Sequence, residues 1–416
     1  MRFVSVLAAA GMSWLACNAH AAEPLRLEEA IERALVNHPA LAAEAARLRA
    51  VQAQAEQESL PPPLVIAAQL EDVAGTGPLS GVDEAQLTVQ LERRFELGGK
   101  RAARRALGAA AIARQRHELV MARLDVVTRV RERFVETAID QQRLRDAEAR
   151  LAEARVLRDE VAAWVEAGRN PVSDLLAAEM AVTEAGLQLE HAGHALEAAR
   201  VALAASLGLT EPDFDGVAMD IGELPPVPAL AVLAERLQHT PEVRAAEFEA
   251  EAAAARRRVA AAAAKPDLTL GVGVRRIEAV DDQVLLLSMS MPLGNHRRAA
   301  PVIAEAEARS AAIGAVREQA RVERHQELFG MYQELVHARS EVEALRGELL
   351  PRAAQALEFA TRAFRAGRFS YMAVAQAAQT LMDLKVRHTD ALARFHLRRL
   401  AVERFTATVD GEEFEP

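Results

Sequence analysis

The chain has 416 residues, a formal net charge of −10 from 50 basic and 60 acidic side chains, and an apolar half that is mostly alanine, with only 4% aromatics. Alanine favours helix and close helix contact but fills little volume, so this composition excludes a thick globular core and fits long slender helices. Charges of both signs are interspersed along the chain, which fits a solvated helix surface and excludes the clustered basic footprint of a nucleic-acid binder.

Met1-Arg2, the apolar run from Phe3 to Cys17 and Ala19-His20-Ala21 together predict a secretory signal cleaved before Ala22. Cys17, the single cysteine, is a candidate lipidation site, although Trp14 at the head of its box fits poorly. Cleavage before Ala22 leaves a mature chain with no thiol and no disulfide. Past the signal no apolar stretch approaches the ~18 residues of a membrane helix. Any crossing of a membrane must therefore be made by strands closed into a barrel, where every backbone group finds a partner.

A helical pattern is expected from Leu25 to about Leu60, stopped by Pro61-Pro62-Pro63. Leu64, Ile66, Ala68 and Leu70 then alternate with Val65, Ala67, Gln69 and Glu71, and Gln86 to Glu92 repeats the period of two beyond a Gly/Pro-rich loop. From Lys100 to Gly168 no proline intervenes, so a helix of about 100 Å is expected at 1.5 Å per residue. Leu151, Ala154, Leu157, Val161 and Trp164 form a narrow seam on it. Gly168-Arg169-Asn170-Pro171 makes a turn, and a second helix returns from Val172 to about Leu207.

The same order then recurs with a period of about two hundred residues. Lys265-Pro266 ends a helix, and Leu268 to Arg275 alternates. The partner strand places Leu285, Leu287, Met289 and Met291 opposite Leu286, Ser288 and Ser290. A long helix is expected from about Ile303 to Gly367, kinked at Pro351, and a returning one from Ser370 to about Thr406. The domain reading is a signal at 1–21, a first repeat at 22–210, a linker at 211–228, a second repeat at 229–408 and a tail at 409–416. Four strands of about nine to eleven residues have the length and dyad pattern of outer-membrane strands. Four cannot close a barrel, because the smallest bacterial barrels have about eight, so the chain is expected to oligomerise around an axis. Gln86, Thr88, Gln90, Thr269, Ser288 and Ser290 are the positions expected to face a wet lumen.

A strand pair feeding a long helical hairpin, repeated, with Glu96-Leu97-Gly98-Gly99-Lys100-Arg101 at the first strand-to-helix junction, resembles the TolC-like outer-membrane factors. Among these it is most similar to the channel subunits of heavy-metal (cobalt-zinc-cadmium type) RND efflux systems. Asn37-His38-Pro39, Pro266-Asp267-Leu268, Met291-Pro292-Leu293 and Ala366-Gly367-Arg368 carry the likeness through nearly the whole mature chain. The resemblance implies a mainly α fold with a small β part. Three chains would contribute four strands each to a trimeric 12-stranded outer-membrane barrel continued by a helical tunnel. It also implies a periplasmic adaptor (a membrane fusion protein), an inner-membrane RND pump and outer-membrane lipid as partners. The hairpin tips, Gly168 and Arg169 on one and Gly367 and Arg368 on the other, would meet the adaptor and close the gate. Asp174 falls where the family's first hairpin carries a gating aspartate. The second hairpin departs from the pattern with Ala373 and Gln376 at the acidic-ring positions, so the gate is expected to rest on Arg368, Tyr371 and Asp174.

No cofactor, catalytic or metal residue is expected. Only His191 and His194, beside Glu190, have helical ligand spacing, whereas a site needs three or four converging ligands. No phosphate loop, nucleophile elbow or His-Glu-x-x-His is present. The expected function is a passive conduit for export, most specifically of heavy-metal cations. Drug efflux and type I protein secretion use channels of the same form. An adaptor-like scaffold would show one hairpin flanked by small β-domains, and an enzyme on a coiled-coil stalk would need a compact pocketed domain.

Overall fold

The computed structural model describes residues 24–73 and 75–408. The predicted signal, with Cys17, and the tail from 409 lie outside the described residues. The first half runs α1 (Leu27–Asn37), α2 (Pro39–Ser59), β1 (Leu64–Glu71), β2 (Gln86–Phe95), α3 (Lys100–Glu166) and α4 (Val172–Ser206). The second repeats the order as α5 (Leu230–Arg236), α6 (Pro241–Ala263), β3 (Leu268–Ile277), β4 (Asp282–Ser290), α7 (Asn295–Ala344), α8 (Leu350–Arg365) and α9 (Tyr371–Phe405). Among the described residues no helix is long and apolar enough to cross a membrane.

Three details depart from the periodicity. The helix expected from Leu25 to Leu60 is divided at His38, whose backbone is extended (φ −69°, ψ 121°). Pro39 forces this, because a residue before proline is driven out of the α region while proline itself fits the first helical turn. The His38 side chain accepts from the Ala40 N–H at 3.2 Å and caps the new helix. Thr240-Pro241 breaks the second copy in the same way, so the repeated proline motif is a repeated helix break. The second long helix begins at Asn295, eight residues before Ile303, and carries Pro301 in its interior. At Leu345–Leu349 it passes through one π turn, immediately before Pro351. The wider turn absorbs the missing proline N–H, so α7 and α8 continue one another.

The strands form one antiparallel sheet in the order β1-β2-β3-β4, with β2 and β3 joining the two halves. β1 pairs only with β2 and β4 only with β3, so the outer edge of each has no strand partner among the described residues. One sheet face carries Ile66, Leu87, Val89, Leu91, Leu270, Val272, Val274, Leu285, Leu287 and Met289, all exposed, with Leu287 at 78%. An apolar face of this size left bare in a single chain marks a surface meant for lipid or a partner.

The main core gathers the middle of α3, the later part of α7 and the C-terminal parts of α4 and α9, where Phe134, Leu203, Leu328, Leu335 and Phe395 pack with Phe214, Val217 and Ile221 of the linker. Gln141 stitches the linker to α3, donating to the Val217 carbonyl at 3.2 Å and accepting from its N–H at 2.7 Å. His396 of α9 donates to the Ile221 carbonyl at 2.8 Å and is buried, with no partner for Nδ1. Burial, reinforced by Arg399, pushes its pKa below the ordinary 6.5, against the Ile221 bond and Asp220, which pull it upward. His388 is lowered likewise, by burial and then Arg346, against Asp146. Both imidazoles are neutral in the fold, so their contribution is complete above the unfolded value near 6.5 and is lost as pH falls through the depressed folded values. The melting temperature is therefore expected to drop between about pH 7 and 5, and less steeply in His396→Gln. Identical slopes in the two proteins would exclude His396 as a source.

Candidate functional site

Three places along the chain gather the candidate residues and motifs: the polar face of the sheet, the strand-to-helix junctions, and the hairpin tips.

Alternation places Gln86, Thr88 and Gln90 of β2, Thr269 of β3 and Ser288 and Ser290 of β4 on the sheet face opposite the apolar one, in the register Thr88↔Arg275, Gln90↔Gly273, Thr269↔Ser290 and Gly271↔Ser288. Arg275 organises its outer end. Its guanidinium donates to Thr88 Oγ1 at 2.9 Å and to Gln86 Oε1 at 3.1 Å, and lies 3.1 Å from a Glu71 carboxylate oxygen. One side chain from β3 thus reaches across β2 to β1. Glu92 and Arg94 share the same face. These charged residues are not among the lumen positions expected from the sequence, although the same period of two locates them.

At the first junction the Glu-Leu-Gly-Gly-Lys-Arg run is a set of clamps. Arg104 binds Glu96 through two bonds, at 2.5 and 2.8 Å, and donates to the Glu58 carbonyl at 2.6 Å. Arg101 donates to the Ser59 carbonyl at 2.7 Å, and Lys100 pairs with Asp267 at 2.6 Å. The end of α2, the start of α3 and the entry to β3 are thereby tied together. Hydrogen bonding from Arg104 holds the Glu96 carboxyl below its ordinary range despite the opposing cost of burial. The second junction carries Asn295, whose amide reaches the Lys265 carbonyl at 3.5 Å, in place of this network.

At the tips, Gly168 and Gly367 both have φ 69°, the left-handed conformation that ends α3 and α8. The N–H groups of Arg169 and Arg368 close the same wide turn onto the Trp164 and Ala363 carbonyls, each at 2.9 Å. Gly168, Arg169, Gly367 and Arg368 are exposed. Asp174, in the first turn of α4, accepts from the Asn170 amide at 2.8 Å. Tyr371 is buried, not displayed at the tip surface, and packs with Val161, Ala178, Ala360, Phe364 and Val374. Trp164 stacks on Phe364 with centroids 4.5 Å apart, and Phe364 meets Tyr371 edge-on at 6.4 Å. Burial, with the Asp174 charge second, raises the Tyr371 pKa, so its hydroxyl stays protonated. An Arg365–Glu160 ion pair also joins the two hairpins. The Trp164–Phe364 contact was invisible in the sequence, since its residues lie about two hundred positions apart.

An open groove of about 710 Å³ runs beside this cluster, lined by Val156, Leu157, Met372, Ala375, Gln376 and Met382. His194 points to solvent, 3.7 Å from Glu190. Among the described residues no group of three or more potential ligands could hold a metal ion.

The family profile described as outer membrane efflux protein matches residues 30–209 and 232–406. The cobalt-zinc-cadmium resistance protein CzcC of Cupriavidus metallidurans is 28% identical over 396 residues, covering 92% of this chain and 90% of the relative. The crystal structure of CusC, described with transmembrane channel formation, superposes with a TM-score of 0.77 at 16% identity, over 94% of each chain. The open state of the MtrE outer membrane channel of Neisseria gonorrhoeae gives a TM-score of 0.74 at 19% identity, over 92% of this chain and 89% of that one. These two likenesses are of fold.

Proposed function

Because this chain belongs to the outer membrane efflux protein family, we propose that three copies form the outer-membrane channel of a tripartite system that exports heavy-metal cations. The observation that carries the reading is the open four-stranded sheet, apolar on one face and polar on the other, standing on helical hairpins whose first helix is 67 residues long. A sheet with two bare edges and one bare apolar face is satisfied in lipid only by closure, and three copies supply twelve strands, within the range of bacterial barrels. Gln86, Thr88, Gln90, Thr269, Ser288 and Ser290 then line the lumen, with Arg275, Glu92 and Arg94 among them. The helices continue as a periplasmic conduit to the tips, where Gly168, Arg169, Asp174, Gly367 and Arg368 meet a periplasmic adaptor. Tyr371 acts from inside, holding the two hairpins together. The groove along α3 and α9 supplies an apolar seat for an adaptor helix.

The conduit does no chemistry of its own. An inner-membrane RND pump supplies the energy, and the tips part by repacking of helices between two arrangements. The cargo assignment is supported by the CzcC relative, and a wet lumen without tight ligand clusters suits an ion that must leave as easily as it enters. Deleting the gene in its host is expected to raise cellular zinc, cobalt or cadmium, with the intact gene restoring export. Unchanged metal content with rising content of hydrophobic drugs would keep the channel and reassign its cargo.

A further inference from the structure

A sheet closed into a barrel in a membrane must be held at its proper depth. Outer-membrane barrels ordinarily carry girdles of Trp and Tyr at both interfaces. This sequence has two of each; Trp14 falls in the predicted signal, and Trp164, Tyr332 and Tyr371 all lie outside the strands.

The helix-side rim of the sheet has a different composition. Phe95, Leu97, Met291 and Leu293 are exposed there, Leu293 at 84%. Leu97 and Leu293 occupy corresponding places after β2 and β4, so the apolar projection occurs in both halves. Arg93 lies on the apolar face of β2, opposite Leu64 and Leu270, with its guanidinium 5.4 Å from the Phe95 ring centroid. Arg105 in the second turn of α3 and Arg297 and Arg298 in the first turn of α7 are also exposed. None of these four arginines has an ion-pair partner among the described residues. The nearby acids are already engaged, Glu96 by Arg104 and Asp267 by Lys100. The rim is therefore an apolar ledge bordered by uncompensated positive charge.

We propose that this rim binds the anionic phospholipid headgroups of the periplasm-facing leaflet, with Arg93, Arg105, Arg297 and Arg298 pairing the phosphates while Phe95, Leu97, Met291 and Leu293 enter the acyl boundary. Arginine suits the position because its stem lies along apolar surface while its planar head reaches phosphate in two bonds. The charge of the rim selects an anionic headgroup over a zwitterionic one, and the ledge selects a lipid over free phosphate. The rim replaces the missing aromatic girdle and sets the depth of the barrel. The inference rests on the outer-membrane reading above.

The test uses the full mature trimer reconstituted into vesicles of phosphatidylcholine containing one quarter phosphatidylglycerol, with the lipids retained after extraction into nanodiscs then measured. Enrichment of phosphatidylglycerol is expected, each rim arginine contributing about fivefold at low salt, and declining as salt is raised. The triple variant Arg93→Gln/Arg297→Gln/Arg298→Gln should lose at least tenfold of that enrichment, an order of magnitude consistent with the same scale. The corresponding triple lysine variant should restore most of it, which separates charge from folding. Arg155→Gln, toward the hairpin tip, should leave enrichment unchanged. Equal retention of the two lipids by the unmodified trimer, or full enrichment in the glutamine variant, would overturn the proposal while leaving the channel intact. Failure of the unmodified protein to insert into any of these vesicles would instead count against the outer-membrane reading itself.

Discussion

Gly273→Val is expected to abolish assembly of the channel. Gly273 faces Gln90 across the β2–β3 pair, and a Cβ built on it would lie 2.5 Å from the Gln90 Cβ, 2.7 Å from the Val89 carbonyl oxygen and 2.9 Å from the Gln90 Cα. Two of these three are backbone atoms and cannot move aside unless the strands separate. Overpacking in a tight interior costs about 1–3 kcal/mol when side chains can adjust, and here the adjustment would break the single seam joining the two halves of the sheet. A sheet split between β2 and β3 leaves two hairpins, each marginal alone and neither able to continue a barrel. The measurement is the yield of trimer in purified outer membranes, by cross-linking or semi-native gel. A normal yield would show that the β2–β3 seam is not needed for closure.

Phe364→Ala is expected to leave the trimer assembled and its gate leaky. Phe364 is 1% exposed and lies between Trp164 of the first hairpin and Tyr371 of the second. Removing a buried phenyl ring costs about 3–5 kcal/mol, including about 0.5–1.5 kcal/mol of ring contact. That loss falls on one small cluster, separate from the main core of Phe134, Leu203 and Phe395. The neighbouring Arg365–Glu160 pair is partly exposed and cannot compensate, because such pairs contribute about 0–1 kcal/mol. The tips of one chain should therefore loosen while the rest stays folded. Planar-bilayer recording is expected to show a higher closed-state conductance, with Phe364→Leu between the two. Closed-state conductance equal to that of the unmodified channel would exclude this aromatic contact from the gate.

Local pattern carried much of the fold. The period of two in Leu64 to Glu71, Gln86 to Glu92, Leu268 to Arg275 and Leu285 to Ser290 located all four strands and assigned their faces, because side-chain direction in a strand depends only on parity. The absence of proline between Lys100 and Gly168 located the longest helix, and the glycines at 168 and 367 located its turn and that of the second hairpin. Local rules also misled. A helical pattern through His38 hid a break that Pro39 imposes, and the long helical pattern expected from about Ile303 extends back through Pro301 to the polar start at Asn295.

Of the candidate site, the polar face of the sheet was legible from the same parity. Its organising residue was not, because the reach of Arg275 to Thr88, Gln86 and Glu71 depends on which strands become neighbours. Tyr371 shows the limit most plainly. Its place just after a hairpin turn suggested the gate surface, yet it is buried against Phe364, whose own partner Trp164 belongs to the other repeat. The sequence by itself determined the elements, their faces and their duplication, since each follows from steric and hydrogen-bonding preferences acting over a few neighbouring residues. Only the tertiary structure decided the order β1-β2-β3-β4, the clamps Lys100–Asp267 and Arg104–Glu96 and the joining of the tips. Those depend on packing between segments whose separation along the chain carries no information about their distance in space.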